Sequence, residues 1–151
     1  ELNGIDFSNC TFVDCNLSNA KLQGTGLKTV VFQRCKLLGL PFEHCNTFLL
    51  EVKFENCQLD FSSFHQLKLK KTSFLKCQLK EVDFTACDLT GAVFDDSDLT
   101  LAVFDNTNLS GADFRTAFNY IIDPGKNNIR KAIFSQAGLT GLLTTYQIVV
   151  V

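Results

Sequence analysis

Large apolar residues recur at every fifth position along most of the chain, and this spacing is its dominant pattern. One run extends from Phe7 to Phe42, and a second run, after a slip of two residues, extends from Leu49 to Phe114. We call the recurring position the central position, and twelve of the fifteen Phe residues occupy it, eleven in these two runs and Phe134 in a late return of the phase. A fixed internal period is typical of repeat architectures. The central residues of the two runs are Phe7, Phe12, Leu17, Leu22, Leu27, Phe32, Leu37, Phe42, Leu49, Phe54, Leu59, Phe64, Leu69, Phe74, Leu79, Phe84, Leu89, Phe94, Leu99, Phe104, Leu109 and Phe114.

A second inward position lies two residues before each central residue. It holds small or aliphatic residues such as Ile5, Val30 and Ala92, whereas the other three positions of each unit are mostly polar. An α-helix would lose this phase, and a flat strand would reverse its face at every unit because five is an odd number. A chain that turns a corner every five residues satisfies the pattern, with Asn, Asp, Ser and Gly supplying the turns.

The order of Phe and Leu at the central positions indicates four walls. Between residues 54 and 114 the two residue types alternate, which gives a period of ten. A four-sided coil then carries Phe on two opposite walls, whereas a triangular coil would mix Phe and Leu on every wall. We therefore predict an all-β solenoid with a square cross-section, whose coils pair at about 4.8 Å. The predicted columns are Phe54, Phe74, Phe94 and Phe114 on one wall and Phe64, Phe84 and Phe104 on the opposite wall.

Segments such as ADF, VDF, CDL and SDL resemble the repeating A-(D/N)-(L/F)-x-x unit of the pentapeptide-repeat family. The resemblance covers about residues 1–118 and implies a right-handed quadrilateral β-helix. The two-residue slip falls near residues 43–53, where we predict a bulge at a corner beside Pro41. We assign residues 119–151 to a helical cap and a terminal strand.

The end of the chain departs from the repeat. Asp123 and Pro124 predict the start of a short helix, residues 136–146 predict a second helix, and the β-branched run at 147–151 predicts a strand. Because repeat proteins expose an open core at their ends, this tail is expected to act as a cap or as a dimer contact. The candidate dimerisation residues are Leu139, Leu142, Leu143, Ile148, Val149 and Val150.

The tail also resembles the C-terminus of pentapeptide proteins that act on DNA gyrase, which include quinolone-resistance and microcin-immunity members. The resemblance rests on a DP-x-x-N-x-I segment, followed by AGL-x-x-LL and a closing run of Val. It implies a two-fold dimer and gyrase as the partner. The mobile-element quinolone-resistance members carry long loops that break the coil, and this chain has none. The matching positions are Asp123, Pro124, Asn127 or Asn128, Ile129, Ala137, Gly138, Leu139, Leu142, Leu143, Val149 and Val150.

Composition excludes several classes of protein. The chain is 46% hydrophobic and 20% charged, with a net charge of −2, unlike a disordered polymer or a strongly basic nucleic-acid binder. No stretch approaches the ~20 apolar residues of a membrane span. We therefore expect neither direct nucleic-acid binding nor membrane insertion. The chain begins at Glu1 within a repeat, so the existence of a preceding segment stays open.

All seven Cys residues hold the second inward position, where Ala, Val, Ser and Thr also occur. We interpret them as small buried hydrophobic residues. Cys57 and Cys77 are expected to stack in neighbouring coils, but parallel Cβ directions and an odd total argue against a disulfide framework. No spacing typical of a zinc site is present. Free thiols of this kind favour a cytoplasmic protein.

The residue pattern also argues against an enzyme. His44 and His65 follow central positions, so we expect both on the surface without a catalytic role. No Ser-His-Asp or Cys-His arrangement and no glycine-rich phosphate loop can be drawn, and a filled coil has no cavity for a substrate. We expect no catalytic residue, no metal and no cofactor.

Charge is distributed unevenly along the predicted rod. Residues 61–80 hold five Lys and no acidic residue, whereas residues 81–114 hold eight acidic residues and no Lys or Arg. An acidic rod could compete with DNA phosphates for a type II topoisomerase, which favours a DNA-mimicking, protein-binding rod. The acidic residues form a belt over four walls, however, so solvated turn residues in a structural interaction module without a topoisomerase link are the alternative. The candidate partner-binding residues are Asp83, Asp88, Asp95, Asp96, Asp98 and Asp105.

Overall fold

The computed structural model describes residues 1–151 as a right-handed quadrilateral β-helix, the class predicted from the period. Strand β1 pairs in parallel with β3, and β2, β4, β5 and β6 form a second parallel sheet in that order. Bridges between single residues continue the same pairing as far as Asp113 and Ile133. The strands are β1 (Asp6–Ser8), β2 (Thr11–Val13), β3 (Gly26–Lys28), β4 (Val30–Gln33), β5 (Val52–Glu55) and β6 (Phe74–Leu75).

The core is built from two aromatic columns, as predicted. We name the four walls, in chain order, the Phe54 wall, the Leu59 wall, the Phe64 wall and the Leu69 wall. On the Phe54 wall the rings from Phe12 to Phe134 stack with centroids 4.8 to 5.4 Å apart. On the Phe64 wall the rings from Phe42 to Phe104 stack at 4.6 to 5.4 Å. The two columns meet edge to face, which is a favoured aromatic geometry.

Each corner is a tight turn that links the two inward positions. At a typical corner the Ala92 N–H donates to the Leu89 carbonyl at 3.0 Å, and Gly91 between them has a φ of 67°. A positive φ at this place is the mark of a type II turn. The same conformation recurs at residues with large side chains, including Phe61 and Leu101. Because only Gly adopts it without steric cost, the stacked coils hold these residues in a disfavoured conformation.

The pairing register shifts by two residues near the slip, and one residue there was misassigned. Bridged residues are twenty apart up to Gly26 and Asn46, and twenty-two apart from Val30 and Val52 until the insertion has been passed. A short 3₁₀ helix at Phe42–His44 precedes the insertion. Leu49 was predicted to be central, yet it is 65% exposed, and Leu50 packs against the core instead. The bridge between Gly26 and Asn46 aligns Thr47 with the buried Leu27, but Thr47 itself is exposed. The two extra residues lie between Thr47 and Val52, where the chain bulges outwards.

The tail differs from the predicted helix and strand. Coil pairing continues beyond residue 118, because Asn128 and Ile133 still bridge to the coil beneath. The predicted helix at Asp123 is a turn, in which the Gly125 N–H donates to the Asp123 carboxylate at 2.8 Å.

The second predicted helix is formed by two 3₁₀ segments, Ala137–Leu142 and Thr144–Tyr146, and residues 147–151 form no strand. Gly138 and Gly141 explain this difference, because they are poor α-helix formers that pack directly against Tyr120 and leave no room for a Cβ. No helix is long and apolar enough to cross a bilayer.

Candidate functional site

Candidate sites lie on the outer walls and at the C-terminal end, because core side chains fill the interior. No group of three or more His, Cys, Asp or Glu residues is arranged to hold a metal ion. His44 is exposed, and His65 Nδ1 lies 4.0 Å from the Asp83 carboxylate on the Phe64 wall. Neither His44 nor His65 is therefore part of a cluster that could hold a metal ion.

All seven cysteines are free thiols, and every one except Cys45 acts as a hydrogen-bond donor, a role that sequence reasoning missed. Cys87 Sγ donates to the carbonyl of Phe64 in the preceding coil at 2.8 Å, and Cys57 donates to Phe32 at 3.3 Å. Ser97 and Thr107 do the same with their hydroxyls, at 2.9 and 2.8 Å. A small residue with a thiol or a hydroxyl at the second inward position can thus donate to a carbonyl of the preceding coil, in some cases beside a backbone N–H such as that of Leu67 on Phe64. The alternation of Cys with Ser and Thr was the available signal.

Burial makes these thiols unreactive. Desolvation raises the pKa of Cys57 to about 11 and the pKa of Cys77 and Cys87 to about 12. Because the thiolate is the nucleophile and the metal ligand, such thiols are poor candidates for either role. Cys10 and Cys15, in the first coil, are only partly buried.

Three of the six candidate acidic residues stabilise corners. Asp83, Asp88 and Asp98 each accept a backbone N–H two residues ahead, at 2.8 to 3.1 Å. Burial works to raise the pKa of Asp98, but hydrogen bonds from Thr100 and Asn119 outweigh it and hold the pKa below its usual value. These three carboxylates therefore already accept hydrogen bonds from nearby backbone N–H groups. This is the role that the alternative hypothesis, solvated turn residues, predicts for them.

The other three candidate acidic residues are more available but do not share a wall. Asp95 and Asp96 follow Phe94 on the Phe54 wall, and Asp105 follows Phe104 on the opposite Phe64 wall; Asp96 and Asp105 are exposed. Arg115 lies one coil above Asp95 on the same wall. The six acidic residues therefore surround the rod as a belt.

The six candidate dimerisation residues fall into two groups. Leu142 is buried in the core of its own chain, where it closes the last coil. The other five are exposed, and Val149 is 86% exposed. An open groove of about 690 Å³ lies between the tail segment around Ala137 and Thr144 and the coil beneath, lined in part by Leu101, Phe118 and Tyr120. The hydroxyl of Tyr120 is buried there without a hydrogen-bond partner.

Comparison with known proteins identifies the family. A family model described as "Pentapeptide repeat region" matches residues 5–84 and 41–114, and the chain belongs to the pentapeptide-repeat family. Two trypsin-treated variants of QnrB1, a plasmid-mediated fluoroquinolone resistance protein, have similar folds, with TM-scores of 0.69 and 0.67. Each is 13% identical to this chain, and the matches cover 100% of this chain and 92% or 93% of QnrB1. A search of curated proteins finds no match to the chain.

Proposed function

We propose that this protein is a non-enzymatic, rigid rod that binds another protein through its outer surface. The filled core carries this proposal, because two stacked columns of Phe leave the interior without space for a substrate. A surface held by hydrogen bonds at many of its corners suits recognition, since little conformational entropy is lost when a rigid surface binds. Its free thiols favour the cytoplasm as its location.

The leading candidate partner is a type II topoisomerase such as DNA gyrase. The tail resembles gyrase-acting pentapeptide proteins in Asp123, Pro124 and the Ala137–Leu143 segment. The fold is like that of QnrB1, a fluoroquinolone resistance protein. In this proposal the acidic belt of Asp83, Asp88, Asp95, Asp96, Asp98 and Asp105 contacts the surface that DNA would otherwise occupy.

A supercoiling assay with purified gyrase tests the topoisomerase proposal. We expect the protein to alter supercoiling, or to restore it in the presence of a fluoroquinolone. The variant Asp95→Asn/Asp96→Asn should weaken this effect, whereas Glu1→Gln/Asp14→Asn, which removes the same charge from the exposed first coil, should leave it unchanged. Supercoiling that is indifferent to an excess of the protein would eliminate gyrase as the partner.

A structural interaction module without a topoisomerase link is the second candidate function. It is favoured by the acidic residues themselves, because Asp83, Asp88 and Asp98 are engaged in corner hydrogen bonds. The available Asp95 and Asp105 face opposite directions, so one flat partner cannot contact both. Capture of a non-topoisomerase partner, together with unchanged supercoiling, would support this candidate.

We also propose that the protein forms a homodimer through its C-terminal end. Leu139, Leu143, Ile148, Val149 and Val150 are all apolar and exposed in the last thirteen residues of the chain, and an open groove lies at the same end of the rod. A two-fold contact would cover the same patch on both chains.

Light scattering tests the dimer. At tens of micromolar the full chain should have twice its monomer mass of 16.8 kDa. Val149→Asp/Val150→Asp should make it monomeric, whereas Val13→Asp, at an exposed site in the first coil, should not. If the unsubstituted protein is monomeric at this concentration, the dimer proposal is wrong and the tail serves only as a cap.

A further inference from the structure

The two-residue insertion places an aromatic side chain on the outside of the rod. Phe48 is 64% exposed and Leu49 is 65% exposed, whereas the central residues of the same wall in the neighbouring coils, Leu27 and Leu69, are buried. The bulge has a defined shape, because the Asn46 side chain accepts the Phe48 N–H at 3.0 Å and the Leu50 N–H donates to the Thr47 carbonyl. Phe48 and Leu49 therefore form a fixed apolar projection on the Leu69 wall.

The same insertion interrupts the ladder of backbone hydrogen bonds. In the coil above the interruption, the Asp88 N–H donates to Leu67 at 2.9 Å and the Asp88 carbonyl accepts from Leu69 at 2.8 Å. At the equivalent place beside the bulge, the Lys68 N–H and the carbonyls of Lys68 and Lys70 have no protein partner. A cavity of about 230 Å³ lies there, lined in part by Leu50, Lys53 and Lys71. These three backbone groups are available to an extended segment of another chain.

Lysine side chains surround this interruption. We define the lysine patch as Phe48 and Leu49 together with Lys28, Lys53, Lys68, Lys70 and Lys71. Lys28 Nζ lies 5.7 Å from the centre of the Phe48 ring.

The patch keeps a clear excess of positive charge. Lys28 and Lys70 make single ion pairs with Asp6 and Asp88, at 3.5 and 3.6 Å, whereas Lys53, Lys68 and Lys71 make none. One acidic residue, Glu51, lines the cavity, and it accepts a hydrogen bond from Thr29. Four lysines and one carboxylate thus line the cavity itself.

The surroundings limit what can bind. Asp6 lies one coil below Lys28, and Asp88 lies one coil above Lys68, so the patch spans about two strand spacings, or ~10 Å. A longer polyanion such as duplex DNA would extend onto the acidic belt. The unpaired backbone groups favour a polypeptide, because an extended peptide can satisfy both an N–H and neighbouring carbonyls.

We propose that the lysine patch binds a short acidic segment of a partner protein, with carboxylates at the lysines and an apolar side chain against Phe48 and Leu49. The proposal rests on the proposed protein-binding function but uses a different surface from the acidic belt and requires no topoisomerase. Opposite charge supplies steering and specificity, and the exposed ring supplies apolar contact area.

Fluorescence anisotropy with a labelled synthetic peptide, in which Asp and Glu flank a Phe-Leu pair, tests the proposal at low salt. Lys68→Glu/Lys71→Glu should weaken binding by about tenfold or more, whereas Lys76→Glu/Lys80→Glu, which reverses the same charge on the Phe54 and Leu59 walls, should change it by less than about twofold. Phe48→Ser should also weaken binding, by about fivefold. All five side chains are exposed, so urea melts should confirm unchanged folding of each variant.

Several outcomes would overturn the proposal. These are no binding of the peptide, equal losses in the two lysine pairs, or no loss with Phe48→Ser. Tighter binding to a duplex oligonucleotide or to phosphatidylserine vesicles would assign the patch to nucleic acid or to a membrane instead. Because this assay contains no gyrase, its result is independent of the supercoiling assay.

Discussion

The middle coils and the first coil follow the same five-residue rule but reach different degrees of burial. Phe84 and Leu89, in the middle, are completely buried, whereas Phe7, Phe12 and Leu17 are only partly buried and Ile5 is exposed. The middle coils have a coil on each side, while the first coil has a neighbour on one side only. Burial in this rod is therefore a property of the stack and not of the single repeat, as expected when each repeat contacts only its neighbours.

Alkaline pH should lower the free energy of unfolding more than any single substitution described below. It should do so through the buried thiols beyond the first coil. Desolvation raises the pKa of Cys45, Cys77 and Cys87 to about 12 and that of Cys57 to about 11, against about 8.5 in an unfolded chain. The stability these thiols confer is fully present below about pH 8.5 and is lost as the pH rises toward 11 to 12.

In that pH window each thiol lowers the unfolding free energy by up to about 1.4 kcal/mol per pH unit. Urea melts between about pH 7 and pH 10 measure the slope. Cys77→Ser should reduce this slope by the contribution of one thiol, since Ser keeps the hydrogen-bond donor but does not titrate. A stability that is constant over this range would contradict the burial of the thiols.

Removal of one Phe ring should destabilise the protein much more in the middle coils than in the first coil. Phe84→Ala should cost about 3–5 kcal/mol, because Phe84 is fully buried between Phe64 and Phe104. Phe12→Ala should cost less than half as much, since Phe12 stacks on Phe32 but lies partly open at the rod end. Urea melts of both variants provide the measurement. Equal losses would mean that the first coil is covered in solution, for example by another chain.

Loss of an inward hydroxyl should have an intermediate effect. Ser97→Ala leaves the buried Phe74 carbonyl without its donor and should cost about 1–3 kcal/mol. Ser97→Cys should recover most of this loss, because Cys77 and Cys87 donate in the same way. Cys15→Ala, in the partly open first coil, should be nearly silent. Thermal melts would test all three, and a silent Ser97→Ala would show that the donor is dispensable.

The smallest effect should come from a corner glycine. Gly91→Ala forces Ala into a φ of 67°, where its Cβ would also touch Lys71, and should cost about 1 kcal/mol. Gly4→Ala has a similar φ of 69° but meets no neighbour within 4 Å, and the first coil can relax more easily. We therefore expect a smaller loss for Gly4→Ala in urea melts. The reverse order would indicate that the first coil is the more rigid region.

The periodic part of the chain could be predicted, and the parts that depend on exceptions could not. The Phe54 and Phe64 columns follow from counting, because a constant step fixes the wall of each residue. Leu49 was misassigned because the five-residue period does not determine which residues at an insertion point outwards. The 3₁₀ cap was missed because it depends on close packing of Gly138 and Gly141 against Tyr120, a contact that crosses most of a coil.

The candidate surfaces were only partly visible in the sequence. The turn role of Asp83, Asp88 and Asp98 could be anticipated from the local preference of Asp for backbone N–H groups. The lysine patch could not, because Lys28, Lys53 and Lys68 come together only when three coils are stacked in a register that includes the insertion.

The constant step of twenty residues makes the length of this rod adjustable in fixed increments. Outside the insertion, each bridge joins residues that are twenty apart, so residues separated by twenty face the same direction. A deletion of twenty consecutive residues from the middle coils would join equivalent points of two coils and return every later side chain to its own wall. The rod would shorten by one strand spacing, about 4.8 Å, while its two ends keep their relative orientation. Gene-level duplication or loss of one coil is thus a route by which such a chain can change its reach while keeping the chemistry of its walls.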